Sequence, residues 1–270
     1  LNAFLQLRGL VKTFDTPKGP QVIVKDVDLA VREGEFVSLI GHSGCGKTTV
    51  LSMVAGLTKK TAGSITIDGV EITGPGPERA MVFQSPSLLP WQSAEQNVML
   101  GIDAAYRSSS RAERRALADH YLDRLGLTAV KHKRPRELSA GMRQRVGIAR
   151  AFVLAPRLLL LDEPFGSLDS TTRFELQDVL LELWSKTRTT ALLVTHDVDE
   201  ALYLSDRIAM MTDGPNATIG EILEVPFPRP RRRADLLESG DYDPLRARML
   251  TFLEHTATRR PASVAAASAR

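Results

Sequence analysis

Phe36-Val37-Ser38-Leu39-Ile40-Gly41-His42-Ser43-Gly44-Cys45-Gly46-Lys47-Thr48 joins a short β-like run to a glycine-rich turn, and a helix-like stretch follows at 48–57. Residues 41–48 fit G-x-x-x-x-G-K-[ST], and a strand before with a helix after is the context that pattern needs. The chemistry explains the residue types. Glycines let backbone N–H groups turn inward around phosphate oxygens, and the helix N-terminus adds partial positive charge. Lys47 can reach the β- and γ-phosphates of a nucleotide, and the Thr48 hydroxyl can ligate Mg²⁺. Gly41, His42, Ser43, Gly44, Cys45, Gly46, Lys47, Thr48 and Thr49 are therefore the candidate nucleotide-binding residues of this loop. The competing reading is a glycine-rich strand-to-helix turn with a surface lysine. Cys45 has two readings of its own: a thiol activated by Lys47 and the helix N-terminus, or a small residue packed under the loop.

Outward from this loop, β-like runs lie at 4–7 and 22–29. Residues 63–69 alternate apolar and polar and read as a strand closed by a turn, and 81–83 is another short strand. From about 94 to 154 the pattern becomes helical, with Ser108-Ser109-Ser110 before Arg111 and Glu113 as a helix start. β character returns at 158–161, 191–194 and 208–211, with helical stretches at 172–186 and 198–204. Strands alternating with helices predict an α/β fold with a mostly parallel sheet, into which the long helical stretch is inserted. Leu158-Leu159-Leu160-Leu161-Asp162-Glu163-Pro164 reads as a buried strand ending in two carboxylates. Asp162 at the sheet's C-terminal edge can hold Mg²⁺, in part through water. Glu163, on the other side of the strand, can polarise a water for attack on a γ-phosphate. Alone, the segment also reads as an exposed Asp-Glu turn closing a core strand.

Between these motifs stands Leu138-Ser139-Ala140-Gly141-Met142-Arg143-Gln144-Arg145-Val146. The order of phosphate loop, LSGGQ-like signature and acidic strand resembles the ATP-binding subunit of an ABC transporter, over roughly residues 5–225. The resemblance implies a P-loop NTPase core with an N-terminal antiparallel β part and an inserted helical subdomain at about 90–155, within an ATP-binding domain over 1–225. Residues 226–270 are then a tail whose end, 261–270, is expected to fray. ATP and Mg²⁺ are the implied cofactors. Ser139 and the Gly141 amide, at a helix start, form an anion site that in the family takes the γ-phosphate held by the opposite subunit. The alternative is an ordinary Ser N-cap with Arg143 and Arg145 on a solvated face. Gln84 matches the glutamine that senses Mg²⁺ and the attacking water, so it joins Thr48 and Asp162 at the metal and Glu163 and His196 in catalysis. His196, in Val194-Thr195-His196-Asp197, matches the histidine that contacts the γ-phosphate. Phe14 matches the aromatic that stacks on adenine, with a core aromatic as the alternative. Ser167-Leu168-Asp169 matches the segment that reaches across the dimer. Two positions depart from the signature: Met142 replaces the usual glutamine, and Ala140 replaces a glycine, which is acceptable only if φ is negative there.

The resemblance also implies partners. One nucleotide-binding unit without a membrane span is similar to importer subunits, which work as a homodimer or a heterodimer with a similar ATPase. They act on separate integral membrane permease subunits, at the cytoplasmic face of the inner membrane. A periplasmic or lipid-anchored solute-binding protein acts through the permease. Ser85-Pro86-Ser87-Leu88-Leu89-Pro90-Trp91 offers apolar anchors for a permease helix, or else fills the interface between the helical insertion and the sheet. Met53-Val54-Ala55-Gly56-Leu57 and Gly74-Pro75-Gly76-Pro77 are similar to the nitrate, sulfonate, taurine and bicarbonate group. Pro226-Phe227-Pro228-Arg229-Pro230-Arg231, Asp241-Tyr242-Asp243-Pro244-Leu245-Arg246 and Phe252-Leu253 are most similar to nitrate-type subunits. An ABC-type ATPase outside transport, such as one for iron–sulfur assembly, stays open. The short span from Lys47 to Ser139 excludes the long coiled coil of DNA-repair members.

Composition agrees. A hydrophobic fraction of 43% with 25% charged residues excludes a chain disordered throughout. A net charge of +3 is too small for a typical nucleic-acid binder. The basic run 229–233 allows a membrane-surface or nucleic-acid reading, but a solvated face or a contact with an acidic partner is expected. The single cysteine excludes an internal disulfide and suits a reducing compartment. No stretch reaches the ~18 consecutive apolar residues of a membrane span, and no secretory leader pattern is seen.

Overall fold

In a computed structural model, which describes residues 3–257, the chain opens with a long hairpin, β1 (Leu5–Thr16) and β2 (Gly19–Val31). Next come β3 (Phe36–Ile40), α1 (Lys47–Val54), β4 (Ala62–Ile67), β5 (Val70–Glu71) and β6 (Arg79–Val82). Three helices follow, α2 (Ala94–Ala105), α3 (Arg111–Arg124) and α4 (Ala140–Phe152). The chain then alternates through β7 (Leu158–Asp162), α5 (Ser170–Thr187), β8 (Thr190–Thr195), α6 (Val198–Leu204) and β9 (Arg207–Met211). It finishes with β10 (Ile219–Glu224), α7 (Arg233–Leu237) and α8 (Tyr242–Ala257). The frayed end expected at 261–270 lies outside the described residues.

Contacts divide the chain into two compact units, one holding residues up to 74 and from 194 on, the other 75–193. In the first, β2, β1, β4 and β5 form an antiparallel sheet in that order. Its inner face is Leu5, Leu7, Leu10, Val27, Leu29, Ile65 and Ile67, all buried. The same unit pairs β3 parallel to β9, and β9 antiparallel to β10. β3 is buried along its whole length, as a parallel strand covered on both faces must be. In the second unit β6 runs parallel to β7, with Val82 opposite Leu161. The apolar stripe of α4, including Val146, Ile148, Ala149 and Phe152, and Leu176, Leu180 and Trp184 of α5 supply its core. The α/β class, the antiparallel N-terminal part and the helical run agree with the sequence reading.

Local chemistry sets the helix starts. Ser110 caps α3 in a reciprocal box, accepting from Glu113 N while the Glu113 carboxylate accepts from Ser110 N at 2.7 Å. Ser93 and Gln96 do the same for α2.

Three features differ from expectation. β1 runs well past residue 7, because Gly9, at φ +52, absorbs a break in the pairing register that the sequence shows only as an interruption. The segment after 218, which carries no strong periodic signal, forms β10 and two helices. In the basic run 229–233, Arg232 is exposed but the other three arginines turn onto their own unit. The Arg231 and Arg229 side chains are only 2% and 13% exposed, and Arg233 stacks on Tyr203 with its guanidinium 3.8 Å from the ring centre. These charges are used inside the unit.

Candidate functional site

β3 delivers the chain to the glycine-rich loop, and the packing around that loop explains its glycines. Gly46 stands at φ +103, and a Cβ there would lie 2.6 Å from Cγ1 of Val24 on β2. A Cβ on Gly41 would meet Cys45 Sγ at 2.8 Å. Gly46 caps α1 in a left-handed conformation with no side-chain hydrogen bond, which leaves the first-turn N–H groups to point out of the helix end. Lys47 is the first residue of α1 and is buried. Its Nζ donates to Gly41 O at 2.6 Å and to His42 O at 2.9 Å, spanning the loop. Cys45 is buried, and burial pushes its thiol pKa up although Lys47 pulls it down. That places it with the packed reading rather than the activated one.

Two further candidate residues, His196 and Phe14, lie in the same unit. His196 follows β8, is exposed, and precedes Asp197, whose carboxylate caps α6 by accepting from Glu200 N at 3.0 Å. Phe14 on β1 is 41% exposed, outside the core, with Lys12 Nζ 4.4 Å from its ring centre.

Sequence reasoning missed Asp213. It follows β9, with its Oδ1 3.0 Å from His42 Nδ1. The next residue, Gly214, has room for a Cβ only 3.5 Å from Gly44 O, so this turn backs the phosphate loop. The available signal was an acidic residue in a Gly-Pro turn at the carboxyl end of a strand, where α/β sheets gather ligand-binding groups.

The second unit gathers the other candidates. Because β6 and β7 are parallel neighbours, Gln84 and the Asp162–Glu163 pair emerge at the same edge. Gln84 Nε2 donates to Glu163 Oε2 at 3.4 Å. Asp162 is buried at the end of β7. Glu163 takes φ +42, a left-handed conformation that costs a non-glycine residue about 1 kcal/mol or more. Such outliers gather where a side chain must be aimed. Gly166 lies beside the pair: a Cβ there would be 3.6 Å from Glu163 Oε2 and 3.8 Å from Gln84 Nε2.

Ser139 caps α4, its Oγ accepting from Met142 N at 3.2 Å, and its side chain is at the surface. Ala140 is the first residue of α4 and has no positive φ, so the departure from glycine is accommodated. Gly141 has no such freedom: a Cβ would lie 2.5 Å from Thr172 Cγ2 in the first turn of α5. Asp169 caps that helix by accepting from Thr172 N at 3.0 Å, and the bond holds its carboxyl below the usual range. In the loop 85–91, Trp91 is 66% exposed and Leu88 and Leu89 are half-buried. Arg150 of α4 ties the loop down, donating to Pro86 O at 2.7 Å and Ser87 O at 3.1 Å.

Among the described residues no cluster of three His, Cys, Asp or Glu could hold a metal ion. Thr48, Gln84 and Asp162 carry hard oxygen donors of the kind Mg²⁺ takes beside phosphate oxygens and water.

The family described as ABC transporter matches residues 24–166. The nitrate import ATP-binding protein NrtD of Synechococcus elongatus is 52% identical, covering 93% of this chain and 91% of its own. The bicarbonate transport ATP-binding protein CmpD of Synechocystis sp. is 49% identical, covering 93% and 89%. Among solved structures, the dimeric post-hydrolysis state of the ATP-binding cassette MJ0796, bound to ADP and Pi, has a TM-score of 0.74 at 32% identity. It covers 83% of this chain and 99% of that one.

Proposed function

This chain belongs to the ABC transporter family, and we propose that it hydrolyses ATP to power an importer for nitrate or a related small anion such as bicarbonate. The observation that carries this reading is the agreement, over nearly the whole of both chains, with nitrate and bicarbonate transport ATP-binding proteins. No described helix is long and apolar enough to cross a membrane, and the chain works as a peripheral subunit on separate permease subunits. The cytoplasmic face of the inner membrane is its place, and a solute-binding protein acts through the permease.

The residues divide the work. The loop 41–49 wraps the triphosphate with backbone N–H groups, and Lys47 turns from two carbonyls to phosphate oxygens. Phe14 offers an exposed ring for the adenine to stack on. Thr48, Gln84 and Asp162, the last in part through water, would hold Mg²⁺, which when bound neutralises charge developing on the β- and γ-phosphates. Glu163 orients a water and accepts its proton, and Gln84, already hydrogen-bonded to that carboxylate, shares the water. His196 contacts the γ-phosphate. Ser139 and the Gly141 amide serve the γ-phosphate held by a second subunit, so the working form is a dimer. Its closure moves the permease and hydrolysis reopens it.

Glu163→Gln keeps the shape but removes the base. ATP affinity should hold while turnover falls on the order of a hundredfold or more; normal hydrolysis would remove Glu163 from the mechanism. For the cargo, the tagged chain should co-purify with integral membrane subunits, and nitrate should stimulate ATP turnover of the reconstituted complex more than taurine does. Stimulation by taurine alone would overturn the nitrate assignment.

A further inference from the structure

His196 sits between the end of β8 and the cap of α6, so the placement of α6 fixes where the imidazole projects. α6 has seven residues, too few to be stable on its own. The segment after 225 holds it at both ends. At the C-terminal end, the buried Arg231 guanidinium donates to Leu202 O at 3.3 Å, Tyr203 O at 3.0 Å and Ser205 O at 2.6 Å. Arg229 donates to Leu204 O at 2.6 Å and to Asp206 Oδ1 at 2.8 Å. These are the carbonyls that a helix end leaves without partners. At the N-terminal end, Tyr242 Oη and Arg246 Nε both donate to Asp199 Oδ1 at 2.7 Å.

The same segment reaches the phosphate loop's strand. Asp206 accepts from Arg229 with one oxygen and from Phe36 N, at the start of β3, with the other at 2.9 Å. Retaining Arg231 here is costly, since burial lowers its pKa to about 10. A fold that needed only apolar burial could place a leucine there. A planar donor fork that spans several carbonyls fixes direction as well as position.

We propose that residues 226–246 form a brace on α6, in which Arg231 and Tyr242 are positioning residues that aim His196 at the terminal phosphate. The inference rests on the ATPase reading given above. It assigns the region after the nucleotide-binding motifs a part in the reaction.

The test is a double-mutant cycle on the tagged full chain, purified with the membrane subunits that accompany it. Tyr242→Phe deletes one hydroxyl and leaves the ring. It should lower kcat for ATP on the order of fivefold, with ATP affinity unchanged, because the phosphate loop is untouched. In a His196→Ala background the same substitution should lower kcat no further. Arg231→Lys, which cannot span the same carbonyls, should show the same dependence on His196. Losses that multiply instead of merging would mean the tail only stabilises the fold, and would overturn the brace, as would an unchanged kcat in Tyr242→Phe. If His196→Ala itself leaves turnover whole, the role of His196 fails and the brace with it. Absence of ATP turnover in the unmodified complex would sink the ATPase reading, an outcome distinct from either.

Discussion

Gly46 carries the strictest demand in the phosphate loop, since both its left-handed φ and the Val24 methyl 2.6 Å from its missing Cβ exclude a side chain. Gly46→Ala should therefore lower stability by about 1–3 kcal/mol and abolish ATP binding, read by thermal unfolding and by calorimetric titration. Retained affinity would show that the loop reshapes freely. The motif made this glycine legible; its packing reason, a valine on a distant strand, was not, because no local pattern records a tertiary contact. Cys45 shows the complementary case. Sequence left it between an activated and a packed thiol, and burial decides for the packed one. Iodoacetamide should label the native chain far more slowly than the urea-unfolded chain, because burial both shields the sulfur and keeps it protonated. Equal rates would contradict this placement.

Among the elements, those with a capped and periodic sequence were legible nearly to their ends. α6 spans 198–204 as read, and α3 starts directly after Ser110. β10, α7 and α8 were not legible, because their register depends on β9 and α6 rather than on their own pattern, and the arginines that anchor them look like a surface run. Asp169 makes the start of α5 testable by pH. Its carboxyl is depressed below 3.8 by the Thr172 N–H, so its contribution to stability is present above that value and is lost as pH falls through the depressed one. Asp169→Asn keeps an acceptor without the charge, and should give a shallower loss of Tm below about pH 4. The same acid limb in both proteins would assign the dependence to other carboxylates.

At the scale of the whole molecule, phosphate chemistry and cargo chemistry leave different marks. Binding a triphosphate fixes residue types at fixed spacings, so the activity was readable from three short motifs. An ATPase subunit never touches the transported anion, so cargo could be reached only through likeness to relatives. The surface that should meet a second subunit lies between these limits. Ser139 is exposed at the cap of α4, and Gly141 is wedged against Thr172 of the capped α5, so α4 and α5 present the signature as one stiff surface. Under the proposed reading this surface takes an anion, and it has a partner only when another chain brings a γ-phosphate to it. Glu163→Gln with ATP should thus sediment as a dimer, while the same chain with ADP should not. Adding Ser139→Ala should weaken that dimer on the order of tenfold, about 1.4 kcal/mol, without changing how tightly the monomer binds ATP. A dimer equally stable with ADP, or indifferent to Ser139, would mean that the two chains meet elsewhere and that the signature serves only as a helix cap.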